Sequence, residues 1–257
     1  MSRVIGFVGT CGGIGKTSIV YDLAIRLSMK GYRVCALDAC FNNNSLSSKF
    51  NIKQSKDLKD WLLGDFDEDY VLNKVSSKLS FVKTNIFQFD YLRHVKLIKS
   101  FIEKISEMFD YVLVDFVIGD ERCNELVFSL NEICVISGDD KESVLKLHRL
   151  RKKFLFYNNI NELNIVINKA NLIGQIYGKN FTQEEIENLL KVEVLFVIPK
   201  FFKRNYFSYK NTTINQTKIM MNFCNAFITN KRVQNNMNKN YLGFFGFIRR
   251  KLHEQFE

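Results

Sequence analysis

The sequence predicts a doubly wound α/β fold, a mostly parallel sheet with helices on both faces. Three observations carry that expectation. Short apolar runs recur along the chain, several of them continuously apolar, as strands covered on both faces are. Longer stretches between them repeat their apolar residues at helical spacing. A glycine-rich turn joins the first apolar run directly to the first helical stretch.

Taken in order, Val4–Val8 reads as the opening strand and Thr17–Lys30 as the first helix. Val20, Leu23 and Leu27 form that helix's apolar face, and Gly31 supplies its stop. Further strands are expected at Arg33–Leu37, Leu79–Lys83, Tyr111–Asp115, Ile133–Ser137, Leu163–Asn168 and Val194–Ile198. Helices are expected at Tyr91–Met108, Lys141–Phe156, Thr182–Leu190 and roughly Thr212–Thr229. Residues 1–229 therefore read as one domain, 230–240 as a polar linker and 241–257 as a basic amphipathic helix.

Composition narrows the function classes. The chain opens on a strand rather than a signal peptide, and no apolar run is long enough to span a bilayer. Six cysteines form no CxxC pair and no His-Cys cluster, so they read as reduced thiols in a cytosol rather than as a metal site. The net charge of +10 is unevenly placed. From Lys200 onward eleven Lys or Arg face only Glu254 and Glu257, whereas the preceding residues carry 26 basic against 25 acidic side chains. This asymmetry points to an anionic partner, membrane or nucleic acid, against the alternative of a solvated surface.

The chemistry is concentrated in Gly12-Gly13-Ile14-Gly15-Lys16-Thr17-Ser18, between a buried strand and an amphipathic helix. Glycines let backbone N–H groups turn inward around phosphate oxygens, and the helix N-terminus adds partial positive charge. Lys16 is placed to neutralise β- and γ-phosphates, and the Thr17 hydroxyl to meet Mg²⁺. These residues predict a P-loop NTPase. The strict P-loop spacing, however, requires glycine at position 10, where this chain has Thr10.

With Thr10 and Cys11 before the two glycines, the loop resembles that of the MinD/ParA family of deviant Walker A P-loop ATPases, and the chain resembles the MinD type most. The resemblance covers roughly residues 3–200. It implies ATP and Mg²⁺ as cofactors, with Thr10, Cys11, Gly12, Gly13, Ile14, Gly15, Lys16, Thr17 and Ser18 around the phosphates. In that family the position of Cys11 holds a signature lysine that reaches across an ATP-sandwich homodimer. A thiol cannot supply that cationic contact. Either dimerisation or hydrolysis is weakened here, or a Lys or Arg from elsewhere substitutes.

The resemblance assigns further roles. Asp38, ending Arg33–Asp38, corresponds to the residue that positions the attacking water, so Asp38 and Lys16 are the catalytic candidates. Asp115, in Phe109–Asp115, corresponds to the Walker B aspartate and joins Thr17 as the metal pair. The family's D-x-P-x-G is kept only in part, since Asp115-Phe116-Val117-Ile118-Gly119 lacks the proline. Asn168 corresponds to the residue that reads the adenine edge, and Pro199 to the late Ile-Pro element beside the base. Read alone, Asp38 is as consistent with a helix or turn cap, and Asn168 with a turn.

At the end of the chain, Tyr241, Phe245, Ile248, Leu252 and Phe256 fall on one helical stripe flanked by Arg249, Arg250 and Lys251. The segment resembles the membrane-targeting helix of MinD-type members, its apolar face entering the acyl boundary and its cations meeting anionic headgroups. A helix packed on its own domain would show the same stripe.

The resemblance thus implies a slow ATPase that is cytoplasmic and peripheral at the inner face of the cell membrane. It would act as a nucleotide-switched spatial regulator of division-site or flagellar placement with a regulatory protein partner. Two alternatives stand beside it. One is a ParA-like DNA partition ATPase using Lys200, Lys203, Arg204, Lys210, Lys218, Lys231 and Arg232; the other is a non-catalytic nucleotide-binding scaffold.

Overall fold

The computed structural model describes residues 2–39, 45–52, 56–64, 66–84, 91–116, 121–156, 162–200 and 216–232. The elements run β1 (Arg3–Gly9), α1 (Lys16–Met29), β2 (Val34–Ala39), α2 (Ser45–Phe50), α3 (Leu58–Leu62) and α4 (Glu68–Val71). They continue β3 (Asn73–Lys74), β4 (Leu79–Lys83), α5 (Tyr91–Met108), β5 (Tyr111–Phe116), α6 (Glu121–Phe128) and β6 (Glu132–Ser137). The rest are α7 (Lys141–Phe156), β7 (Glu162–Ala170), α8 (Leu172–Ile176), α9 (Gln183–Leu190), β8 (Val194–Pro199) and α10 (Gln216–Thr229).

The strands form one sheet in the order β3-β4-β2-β5-β1-β6-β7-β8. All pairs are parallel except β3 with β4. The chain first builds outward from β1 on the β5, β2 and β4 side, then crosses to β6 and continues to β8. Strand order reverses at β1, so its C-terminal end opens on the crevice where α/β sheets bind ligands. The predicted doubly wound fold is the observed one, and the seven expected strands are present with ends shifted by one or two residues.

Alternation along each strand divides the core in two. In β5, Val112, Val114 and Phe116 face one apolar layer with α5, α7 and α9. Tyr111 and Leu113 face the other, with α1, α2 and α10. Helix α1 contributes Ile19, Val20, Leu23, Ala24 and Leu27, all buried. Each large aliphatic side chain so buried stabilises the fold by about 1.5–3 kcal/mol.

Polar ties lie at the N-terminal edge of the sheet. The Arg3 guanidinium pairs with Glu132 of β6 and donates to the Phe227 carbonyl of α10 at 2.8 Å. Burial pushes the Glu132 carboxyl above its ordinary range although Arg3 opposes this. At the other end of the described chain, Arg232 pairs with Glu187 of α9 at 2.6 Å.

The short helices between β2 and β4 were not expected from periodicity. Their ends are set by local chemistry instead. Asp57 and Asp60 form a capping box on α3, and the Asp67 side chain accepts from the Tyr70 N–H at the start of α4. Among the described residues no helix is long and apolar enough to cross a membrane. The residues beyond Arg232 expected to form a linker and the membrane candidates Tyr241, Phe245, Ile248, Arg249, Arg250, Lys251 and Leu252 lie outside the described residues, as does Gly119.

Candidate functional site

β1 ends at Gly9, and the chain turns through the loop into α1. Gly13 and Gly15 hold φ of +71° and +95°, which only glycine adopts cheaply. A Cβ on Gly15 would also stand 2.6 Å from Asn168 Nδ2, so any side chain there displaces that amide. Gly15 is the N-cap of α1, with no side-chain cap bond, and the first turn of the helix carries no acidic residue. The first N–H groups and the positive end of the dipole are therefore left to an outside anion. Helix α9 shows the contrast, because Thr182 and Glu185 close its N-terminus with a capping box.

The loop floors a cleft of about 840 Å³. Cys11 through Ile19 line it, together with Asn168, Lys169, Pro199, Lys200, Gln216 and Met220. Thr10 does not line the cleft: it is buried behind the loop, its N–H donating to the Ile136 carbonyl at 2.9 Å. Cys11 is half-buried, with Sγ 3.9 Å from Ser143 Oγ at the start of α7. Ser143 also donates through its N–H (3.0 Å) and hydroxyl (2.6 Å) to Asp140. Burial pushes the Asp140 carboxyl up, but those bonds outweigh it and hold the group below its ordinary range.

The two candidate acids sit side by side, since Asp38 of β2 and Asp115 of β5 are register partners at the C-terminal end of the sheet. Asp115 is fully buried and pairs with the Lys16 ammonium. Asp38, also buried, accepts from the Leu46 N–H of α2 at 3.1 Å. The carboxylate thus does what a capping residue does, beside whatever role its place near Asp115 gives it.

Asn168 is likewise engaged with the loop itself. Its amide donates to the Ile14 carbonyl at 2.8 Å. The next residue, Lys169, was missed in the sequence. Its ammonium donates to the Gly13 carbonyl at 2.6 Å from a backbone φ of +58°. The β7–β8 register shifts between Ile167 and Ala170, and such irregularities re-aim a side chain. Beyond them, Asp139 gathers the following segment. Its carboxylate accepts from the Asn171 N–H (2.7 Å), Gln175 (2.9 Å) and Asn180 (2.9 Å), and its carbonyl accepts from the Phe181 N–H (2.8 Å).

Residues 2–118 match the family model described as an AAA domain. Septum site-determining protein MinD of Thermotoga maritima is 24% identical over 214 residues, covering 77% of this chain and 76% of that protein. Among solved structures, the MinC:MinD cell division protein complex of Aquifex aeolicus superposes with a TM-score of 0.74 at 19% identity. That match covers 89% of this chain and 96% of the other. The septum site-determining MinD of Pyrococcus horikoshii, complexed with Mg-ADP, gives a TM-score of 0.69 at 18% identity, covering 87% and 95%. At these identities the structural likenesses establish the fold.

Proposed function

We propose that the chain is a member of the MinD/ParA family of P-loop ATPases, a group that includes site-determining proteins, and that it binds ATP with Mg²⁺ and acts as a nucleotide-switched, membrane-associated spatial regulator. The observation that carries the reading is the start of α1: an uncapped helix N-terminus behind a glycine loop, with Lys16 and the buried Asp115 meeting at its base.

The residues present fit a magnesium ion. Thr17 lines the cleft and Asp115 lies buried beside Lys16, and both offer the hard oxygen donors that Mg²⁺ takes. The remaining ligands would be phosphate oxygens and water, as is usual for Mg²⁺. When bound, the ion neutralises charge on the β- and γ-phosphates. The chain does the rest. N–H groups of Gly12–Thr17 hold the phosphates, and Lys16 exchanges its Asp115 partner for phosphate oxygens. Asp38 orients water at the γ-phosphate, and the base lies between Asn168 and Pro199.

The basic, aromatic segment 241–257 supports the membrane part of the proposal. If that segment folds as an amphipathic helix on the surface, one copy would bind weakly, and an ATP-dependent homodimer presenting two would bind far more tightly. A MinD relative occurs in a MinC:MinD complex, which supports a regulatory protein partner here. Cys11, turned toward Ser143, favours one second reading: a scaffold that binds ATP without turning it over.

Sedimentation with vesicles of acidic phospholipid tests the switch, using the full chain and a truncation before Asn240. Pelleting of the full chain with ATP but not ADP, lost on truncation, is expected. Equal pelleting in every condition, or none, overturns it. Lys16→Ala should abolish ATP binding, and multi-turnover phosphate release separates ATPase from scaffold. A salt-sensitive shift of nonspecific DNA would move the anionic partner to nucleic acid.

A further inference from the structure

Lys169 has no role in the reading above, yet its placement is specific. It is an exposed, non-glycine residue in the left-handed region at the end of β7, a conformation that persists where the surroundings hold it. From there its ammonium crosses to the Gly13 carbonyl, while its neighbour Asn168 donates to the Ile14 carbonyl. Two successive side chains of one strand thus pin two successive peptide planes of the loop.

A trans peptide points its N–H opposite its C=O. The peptide that carries the Gly13 carbonyl also carries the Ile14 N–H, and the one that carries the Ile14 carbonyl carries the Gly15 N–H. Pulling both carbonyls toward β7 therefore turns both N–H groups away from β7. Those donors belong to the loop that the proposed function assigns to the phosphates. Left- and right-handed residues in succession, as around Gly13 and Gly15, make the concave anion-binding arrangement of backbone N–H groups, and an outside clamp preserves it.

We propose that Lys169 is a positioning residue of the phosphate site: its ammonium fixes the Gly13 peptide so that the Ile14 N–H is preset for a phosphate oxygen before ligand arrives. This rests on the nucleotide-binding reading but makes a separate claim, that the loop is preset from β7. The clamp is an ammonium on a carbonyl, so Lys169→Met removes it while keeping most of the stem.

The test has two arms on the full chain. In the ligand-free protein, amide exchange at Ile14 and Gly15 should speed up in Lys169→Met, with the melting temperature little changed. In titration calorimetry, inorganic tripolyphosphate and ATP, both with Mg²⁺, should each weaken by a similar factor of about tenfold. That corresponds to about 1.4 kcal/mol, the scale of a hydrogen bond to a charged group. The loss should persist at high salt, where a remote charge would be screened.

Unchanged exchange together with unchanged tripolyphosphate affinity overturns the proposal. A loss that vanishes at high salt also overturns it, because Lys169 would then act only as a charge. If the wild-type chain binds neither ligand, the nucleotide reading fails by itself. Exchange at Ile14 then decides the clamp alone: faster in the variant sustains it, equal rates overturn it.

Discussion

Replacing Gly15 by alanine should destabilise the protein through its own backbone and through one neighbour, and a double-mutant cycle can isolate the neighbour's share. At φ +95° an alanine pays at least the left-handed penalty of about 1–2 kcal/mol. Its Cβ would stand 2.6 Å from Asn168 Nδ2, so the amide must move and its bond to the Ile14 carbonyl breaks. Losing a buried partner costs about 1–3 kcal/mol. Gly15→Ala is thus expected to cost about 2–5 kcal/mol, and Asn168→Ala about 1–3 kcal/mol. In the double variant the broken bond counts once, so the pair should fall short of additivity by about 1 kcal/mol or more. Urea unfolding followed by circular dichroism measures each corner of the cycle. Gly12→Ala serves as the control, since a Cβ there meets nothing within 4 Å, and it should stay within about 0.5 kcal/mol of wild type. Additivity within about 0.3 kcal/mol would refute the reasoning, because Asn168 would then not rest on Gly15.

Two further outcomes follow from side chains away from the loop. The Asp110 carboxyl is held below its ordinary value of 3.8, chiefly by the side-chain hydrogen bond from Arg33. Its stabilisation is therefore present above pH 3.8 and lost as pH falls through the lower folded value. Asp110→Asn should be less stable than wild type at neutral pH, with the gap closing in acid; a gap of constant size across a pH series of urea midpoints contradicts this. Burial pushes the thiols of Cys35 and Cys134 up, and that of Cys224 to about 11. Mild alkylation read by mass spectrometry should therefore modify Cys11 before these three, and ATP with Mg²⁺ should slow it; labelling of Cys35 or Cys134 first would contradict the burial described here.

Features fixed by runs of like chemistry were legible from the residues. Val112–Val114 can only be a covered strand, and Val20, Leu23 and Leu27 can only face a core. What was not legible depends on residues meeting from far apart. Nothing near Arg3 announces Glu132, 129 residues away, or the carbonyl of Phe227. Helices α3 and α4 are too short for periodicity and are set by Asp57 and Asp67, whose capping patterns were there to be found. In the site, the glycine loop was plain because its backbone demands are local. Asn168 was picked out by resemblance for a base, and that its amide also donates to the loop was not legible. Lys169 gave one faint signal, a long polar side chain closing an apolar strand. Its meaning appears only once β7 lies beside the loop, through the sheet order β1-β6-β7.

Asp139 has a consequence for how the cleft can move. Residues 171–181 follow directly on the pair that grips the loop, and four of them close on this one residue of the β6–α7 turn. What reads along the chain as an excursion between β7 and α9 is mechanically a ring with its hub in the turn after the neighbouring strand. Strain introduced at α8 would be shared among these bonds before reaching Lys169. Breathing of the cleft should then fall to its α10 wall, lined by Gln216 and Met220.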